Sequence, residues 1–238
     1  MKNMIDVVCV KWGDLYSEEY VHILRDSVAR NTTVEHRFIC FTDEPIDGID
    51  CRPLPDGLQG WWNKLALFDI RQELNERVVY FDLDTAITGN IDFLMNYGGS
   101  LLGIENLGVF NKYEDPKQYT DHFQSGVLAW NHTMGDIVWR AFENQGRSAL
   151  ELFAGDGEFL DALIMPSHRE YIQKIFPEHF LESYKYQVYE RGSVHPDTSI
   201  VCFHGEPRPH QAISETVHPW GIEYKPMPSM SVFWRTGE

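Results

Sequence analysis

The sequence predicts an α/β fold built as one compact unit, and three observations carry that expectation. The chain opens on an apolar run, an amphipathic helical stretch and a second apolar run, a β-α-β unit that calls for parallel strands and a right-handed crossover. Residues 78–85 form a further apolar run that stops on two aspartates one residue apart, Asp82 and Asp84. The 238 residues, 43 % of them hydrophobic, supply a sizeable core, and no repeat, low-complexity tract or flexible linker divides them.

The first run, 4–12, ends at Gly13 and reads as a strand feeding a loop. Ser17 before Glu18 and Glu19 opens a helix with Tyr20, Ile23, Leu24 and Val28 on one face. A second strand over 36–42 ends at Asp43. A Pro/Gly-rich loop over 45–60 leads into an aromatic-rich helix from Trp61, with Lys64 near its start. The run over 78–85 has the length and β-branched content of a buried strand. Strands follow over 101–105 and, interrupted by Ser125 and Gly126, over 123–130, then a helix over 134–144. Gly155-Asp156-Gly157 turns into a helix over 158–164 stopped by Pro166, and a short strand over 199–203 precedes His204-Gly205-Glu206-Pro207-Arg208-Pro209-His210. Frequent prolines and glycines from Pro196 onward predict a C-terminal part that wraps over the rest.

Charge and cysteines exclude several functions. Asp and Glu number 36 against 20 Lys and Arg, and a formal charge of −16 repels nucleic acid and anionic membrane surfaces. No apolar stretch approaches the roughly 20 residues that span a bilayer, and the start shows no signal-peptide core, so a cytoplasmic protein is expected. Cys9, Cys40, Cys51 and Cys202 are far apart without a Cys-X-X-Cys, which leaves a zinc site unsupported. Cys9, Cys40 and Cys202 lie in apolar runs and read as reduced core thiols.

The aspartate pair is the leading chemical signal. Carboxylates at a strand end sit where open α/β sheets place ligands, and residues i and i+2 of a strand point to one side. Paired carboxylates with ligand phosphates suit Mg²⁺ or Mn²⁺. Solvated loop acids are the competing explanation. His204 can complete a carboxylate site as a neutral imidazole, Gly205 allows close backbone approach to a phosphate, and Arg208 presents a planar fork to phosphate oxygens. Lys64 is placed to hold a phosphate at a helix start. Gln124, Ser125, Asp156 and Glu158 are groups that hydrogen-bond sugar hydroxyls, although Asp156 after Gly155 is also an ordinary helix cap. Trp12, Tyr16, Trp61, Trp62 and Trp130 offer flat faces for stacking on a base or sugar ring, with core packing as the competing explanation for each; Trp12 and Tyr16, just after the first strand, are the better candidates.

Taken in order, Lys64-Leu65, Val79-Tyr80-Phe81-Asp82-Leu83-Asp84-Thr85, Gln124-Ser125-Gly126-Val127, Gly155-Asp156 and His204-Gly205-Glu206-Pro207-Arg208-Pro209 resemble the motifs of nucleotide-sugar glycosyltransferases of the GT-A fold. The likeness is to the glycogenin-like and bacterial lipopolysaccharide galactosyl- and glucosyltransferases, and covers roughly residues 5–210. It implies a Rossmann-like mixed sheet flanked by helices in a single domain, with a nucleotide-binding half over 1–90 and a donor-sugar and acceptor half over 91–238. It implies that Asp82, Asp84 and His204 bind Mn²⁺ or Mg²⁺ with the donor diphosphate, and that Lys64, Gly205 and Arg208 lie near the phosphates. Val10, Lys11, Trp12 and Tyr16 would hold the base, Asp43 would lie near base or ribose, and Asp156 would contact the transferred sugar. A hexosyl group would pass from a UDP-type donor to a glycan or glycolipid acceptor, peripherally to the membrane in the latter case.

The relatives named retain anomeric configuration. Asp156 and Gln124 are the candidates for a nucleophile, and a front-face route that uses the leaving phosphate as base stays open beside them. The chain departs from the pattern where Gly157 and Glu158 replace a glutamine, where Gln124 replaces an asparagine, and where the histidine abuts its glycine. A phosphatase of the haloacid dehalogenase type is the main rival. It would need threonine where Ala86 stands, and it gives His204 to Arg208 no role. A non-catalytic nucleotide- or sugar-binding relative is a second rival. A nucleotidyltransferase is a weaker third, lacking its Gly-rich basic loop.

Overall fold

The first strand, β1 (Ile5–Lys11), has all seven residues buried, as a central strand of a sheet covered on both faces requires. The computed structural model describes residues 4–105, 107, 123–146, 148–163 and 166–237. β1 pairs in parallel with β2 (His36–Thr42), and β2 with β3 (Asp50–Pro53). On the other side β1 pairs in parallel with β4 (Arg77–Phe81). After β5 (Thr85–Ile87) come β6 (Leu101–Glu105), β7 (Phe123–Asn131) and β8 (Arg169–Tyr171), then β9 (Leu181–Ser183) and β10 (Ile200–Cys202). Among the described residues the strands form a seven-stranded sheet in the order β3-β2-β1-β4-β7-β6-β8 and a three-stranded sheet in the order β5-β10-β9. Within the large sheet β7 runs antiparallel to both its neighbours, so the sheet is mixed.

The two faces of the large sheet follow the period of two along β1. Ile5, Val7 and Cys9 join Val79 and Phe81 in one core, covered by the Glu18–Asn31 helix and the small sheet. Val8 and Val10 join Ile39, Phe41, Val78 and Tyr80 in the other, under the segment Gly60–Phe68 and the His132–Gln145 helix. The predicted helical face is the buried one: Tyr20, Ile23, Leu24 and Val28 all face the core, each worth about 1.5–3 kcal/mol for the large aliphatics. One charge interrupts β1. Asp6, fully buried, takes the Arg37 guanidinium at 2.9 and 2.8 Å and Asn75 through its backbone and side-chain nitrogens at 2.7 and 2.8 Å, so both carboxylate oxygens are satisfied.

Several expected elements are redrawn. The run over 78–85 is not one strand: β4 stops at Phe81, Asp82-Leu83-Asp84 is a turn closed by Thr85 N donating to Asp82 O at 3.1 Å, and Thr85 starts β5 in the other sheet. Strand alternation therefore does not orient the two aspartates. The segment from Trp61 is a 3₁₀ helix, Gly60–Phe68, whose residues from Asn63 to Phe68 are all buried, so no exposed stripe marks it. Ser125 and Gly126 do not break the strand over 123–130, because β4 and β6 flank it with antiparallel ladders. The helix after Gly155 begins at Asp156 and is described to Leu163; Ile164 lies outside the described residues. Cys9, Cys40 and Cys202 are buried free thiols, and the strand registers set Cys40 beside both Cys9 and Cys51. The C-terminal wrap is present: Trp234 packs on Tyr20 at a ring separation of 4.9 Å, and Gly237 N donates to Asp26 at 2.6 Å.

Candidate active site

Strand pairing gathers the distant motifs. Cys202 of β10 lies opposite Thr85 of β5 in an antiparallel register, so the residues after Cys202 run beside those before Thr85. That sets His204 and Gly205 on the chain segment neighbouring the Asp82-Leu83-Asp84 turn. Asp82 N donates to Gly126 O at 2.8 Å, which sets Gln124-Ser125-Gly126 along the same turn. These segments, with the ends of β1 and of the 3₁₀ helix, enclose a cavity of about 800 Å³. Its described lining includes Val10, Trp12, Tyr16, Lys64, Asp82, Asp84, Gln124, Gly205, His204 and Arg208.

Lys64 lies at the centre of the charge arrangement. Its Nζ is 2.8 Å from Asp82 Oδ1 and 3.8 Å from Asp156 Oδ2, donates to Ser125 Oγ at 3.4 Å, and stands 5.3 Å from the centre of the Tyr80 ring. Burial alone would lower its pKa, but the Asp156 and Asp82 carboxylates outweigh it and hold the ammonium well above the ordinary lysine range. Asp82 Oδ1 also accepts from Tyr80 OH. Asp84 Oδ2 accepts from Tyr16 OH at 3.0 Å, while burial and the neighbouring Asp82 charge push its carboxyl up to about 7. The Arg208 guanidinium lies 5.6 Å from the Tyr16 ring centre, a cation-π distance. His204 Nε2 shares a hydrogen bond of 2.7 Å with Ser183 Oγ, and burial, with the nearby Lys185 ammonium, pulls the imidazole down to about 4. The ring is therefore neutral at pH 7.

Not every expected residue reaches the cavity. Lys11 Nζ donates to Gly13 O at 3.2 Å and Asp43 Oδ2 accepts from Gly13 N at 2.7 Å; both shape the loop after β1 and neither is part of the described lining. Asp156 is buried behind Lys64, and burial raises its carboxyl pKa against the opposing pull of Lys64. Three contributors had no reading from sequence. Tyr80 binds Asp82 from within β4. Ser183 reaches His204 because β9 pairs with β10 in parallel, Cys202 opposite Ser183. Lys185 sits on a π-helical turn, Tyr184–Val188, donates to His204 O at 2.6 Å and lies 4.4 Å from the Trp220 ring centre. A π-turn inserts one residue into a helical repeat, which hydrophobic periodicity does not reveal.

The donor chemistry of Asp82, Asp84 and His204 fits the divalent cation that the resemblance implies. The two carboxylates suit Mn²⁺ or Mg²⁺, and a neutral imidazole can complete such a carboxylate site. Asp82 and Asp84 also press like charges together, which a cation would relieve. In this arrangement each of the three side chains is turned to a protein partner, Lys64 and Tyr80, Tyr16, or Ser183. Among the described residues no three His, Cys, Asp or Glu side chains converge closely enough to hold a metal.

No protein-family model and no curated protein sequence matches the chain. Solved structures do. The galactosyltransferase LgtC, determined with donor and acceptor sugar analogues, superposes with a TM-score of 0.60 at 16 % identity over 86 % of this chain and 88 % of its own. The glycosyltransferase GlyE of Streptococcus pneumoniae TIGR4 gives 0.60 at 14 % identity over 97 % of this chain and 59 % of its own. The bifunctional glycosyltransferase WbbM gives 0.59 at 10 % identity over 88 % and 47 %. This chain thus spans most of LgtC but only about half to three-fifths of WbbM and GlyE. The shared property is the fold, the GT-A glycosyltransferase fold with its mixed sheet flanked by helices.

Proposed function

We propose that this chain is a metal-dependent glycosyltransferase that moves a hexosyl group from a nucleoside-diphosphate sugar, read as a UDP-sugar, to an acceptor hydroxyl in glycan or lipopolysaccharide synthesis. The observation that carries the reading is the meeting of the Asp82-Leu83-Asp84 turn, His204-Gly205, Lys64 and Arg208 on one cavity of a GT-A fold. Asp82, Asp84 and His204 would hold Mn²⁺ or Mg²⁺, whose charge would offset that gathering on the leaving diphosphate. Lys64 and Arg208 bring two cations to the same cavity, which reconciles an anionic donor with a chain of charge −16. Gly205, at φ +75°, keeps its backbone bare of a Cβ beside the phosphates. Val10, Trp12 and Tyr16 supply the wall for the base, with Lys11 and Asp43 fixing the loop that presents it.

The reading includes retention of configuration. Gln124 lines the cavity while Asp156 lies behind Lys64, which favours Gln124 for direct contact with the sugar and Asp156 for orienting Lys64. In this reading residues 1–90 carry the nucleotide-binding half and 91–238 the sugar and acceptor half, the 3₁₀ helix of the first half lending Trp61 to the cavity wall they share. A cytoplasmic site of action, at a membrane face for a glycolipid acceptor, agrees with the finding that no helix among the described residues is long and apolar enough to cross a membrane.

The test is a panel of nucleotide sugars with Mn²⁺, followed by thermal shift and by release of nucleoside diphosphate. At least one donor is expected to give a metal-dependent shift and turnover, and Asp84→Ala to abolish both. An unchanged shift in that variant would sink the metal assignment. A shift without turnover for any donor and acceptor would instead identify a binding protein.

A further inference from the structure

Two adjacent tryptophans at the start of the 3₁₀ helix have opposite fates. Trp62 turns into the core, stacked on Phe142 at 6.4 Å and edge-on to Phe159 at 6.2 Å. Trp61 lines the cavity and is 57 % exposed. Core packing accounts for the first and not for the second. Trp61 is nonetheless held firmly. Its Nε1 donates to Ala154 O at 3.2 Å, and Ala154 N in turn donates to Glu158 Oε2 at 2.6 Å. A Cβ on Gly155 would stand 3.1 Å from the indole edge, tighter than an ordinary contact, so any larger residue there would push the ring aside by a few tenths of an ångström. A large aromatic surface pinned by its edge and left open to a cavity is built as a platform.

Its position follows from helix geometry. A 3₁₀ helix has three residues per turn, so Trp61 and Lys64 project along one line, roughly 6 Å apart at about 2 Å rise per residue. Lys64 is the cation that pairs with Asp82 beside the diphosphate end of the cavity. The platform therefore stands one turn away from where the glycosidic bond would break. Glu158 is linked to it through Ala154, and the same cavity is lined by Gln124 and Asp161. A pyranose ring offers an apolar C–H face to an indole and hydroxyls at its rim to carboxylate and amide acceptors. The Glu158 carboxylate on that wall disfavours a sugar that is itself anionic, while Asp161 is paired with Arg169.

We infer that Trp61, with Glu158 beside it, forms the acceptor subsite, and that its occupant is a neutral hexopyranoside whose apolar face stacks on the indole. The inference rests on the glycosyl-transfer reading for the word acceptor, and on geometry alone for a sugar.

The experiment titrates methyl glucopyranoside, methyl galactopyranoside and methyl glucuronide into the full chain, with and without UDP and Mn²⁺, by saturation-transfer NMR. At least one neutral glycoside is expected to bind with saturation strongest at the C–H protons of one ring face, and the glucuronide to bind more weakly. Trp61→Ala should weaken the neutral glycoside about tenfold, and Trp61→Phe, which keeps a ring, should recover most of that loss; thermal midpoints of both variants report folding. Equal affinity in wild type and Trp61→Ala, or no glycoside binding in wild type, overturns the platform. So does a loss that appears for UDP-sugar relative to UDP, which would put the donor sugar on the indole. If wild type shows no shift with UDP and Mn²⁺ while the glycoside still depends on Trp61, the sugar site stands and the nucleotide-sugar reading falls.

Discussion

Replacing Lys64 by alanine would leave Asp82 and Asp156 facing each other without the cation between them, Asp156 being almost wholly buried. Removing one partner of a buried ion pair commonly costs about 3–5 kcal/mol, because the remaining charge stays desolvated. Lys64→Ala is therefore expected to lower stability in urea by about that amount, whereas Lys64→Met with Asp156→Asn should recover a good part of it. If the single variant unfolds at the wild-type urea midpoint, the charge balance drawn for the cavity is wrong. The same scale shows why part of the site was readable beforehand. Asp82, Asp84, Lys64, His204 and Arg208 are residue types whose chemistry announces itself, and they do share one cavity. Lys11 and Asp43 have the same chemistry, but their side chains turn back to Gly13, and residue type alone does not say which way a loop side chain points.

Among the elements, the short Asp92–Met95 helix is tied to the end of the Glu18–Asn31 helix by one carboxylate. Asp92 accepts from Thr32 Oγ1 at 2.6 Å, from Thr33 N at 2.8 Å and from Thr33 Oγ1 at 2.6 Å. What little burial there is would raise its pKa, but these hydrogen bonds, Thr32 first, bring it down to about 2. A depressed folded pKa contributes stability above the unfolded value of about 3.9, and that contribution fades as pH falls toward 2. Asp92→Asn should lower the thermal midpoint at pH 7 by about 2–4 °C, after allowance for solvent screening, and the gap should close between pH 4 and pH 2. A gap that is constant over that range would show that charge plays no part. Elements were legible where burial imposed a period. β1, β2 and the Glu18–Asn31 helix follow the predicted bounds closely because each buries a regular set of side chains. β3, β5 and β9 are three or four residues long, too short for a period to show, and are fixed by neighbours distant in sequence. The 3₁₀ form of Gly60–Phe68 was hidden for the opposite reason, a continuous buried run from Asn63 to Phe68 with no exposed face to set its phase.

For the whole molecule, the C-terminal wrap closes over the first helix. Trp234 is 8 % exposed and belongs to the core that includes Tyr20, Leu24 and Val28. Tyr20 in turn packs on Tyr16 at 4.9 Å, and Tyr16 holds Asp84. Trp234→Ala is expected to cost about 3–5 kcal/mol in urea unfolding, through a cavity left against the first helix. A cost below about 1 kcal/mol would mean that the wrap is dispensable. The turn Asp82-Leu83-Asp84 has a further consequence at this scale. Only three residues separate β4, the central strand of the large sheet, from β5 of the small one, so this turn is a covalent splice between two separately hydrogen-bonded sheets. In the proposed reading a metal-bound donor held at this splice would also be held by His204, just after β10, and so would clamp both sheets at once. Its binding energy then enters the melting of both sheets together, and saturating ligand should sharpen unfolding into one transition rather than protect one half of the chain.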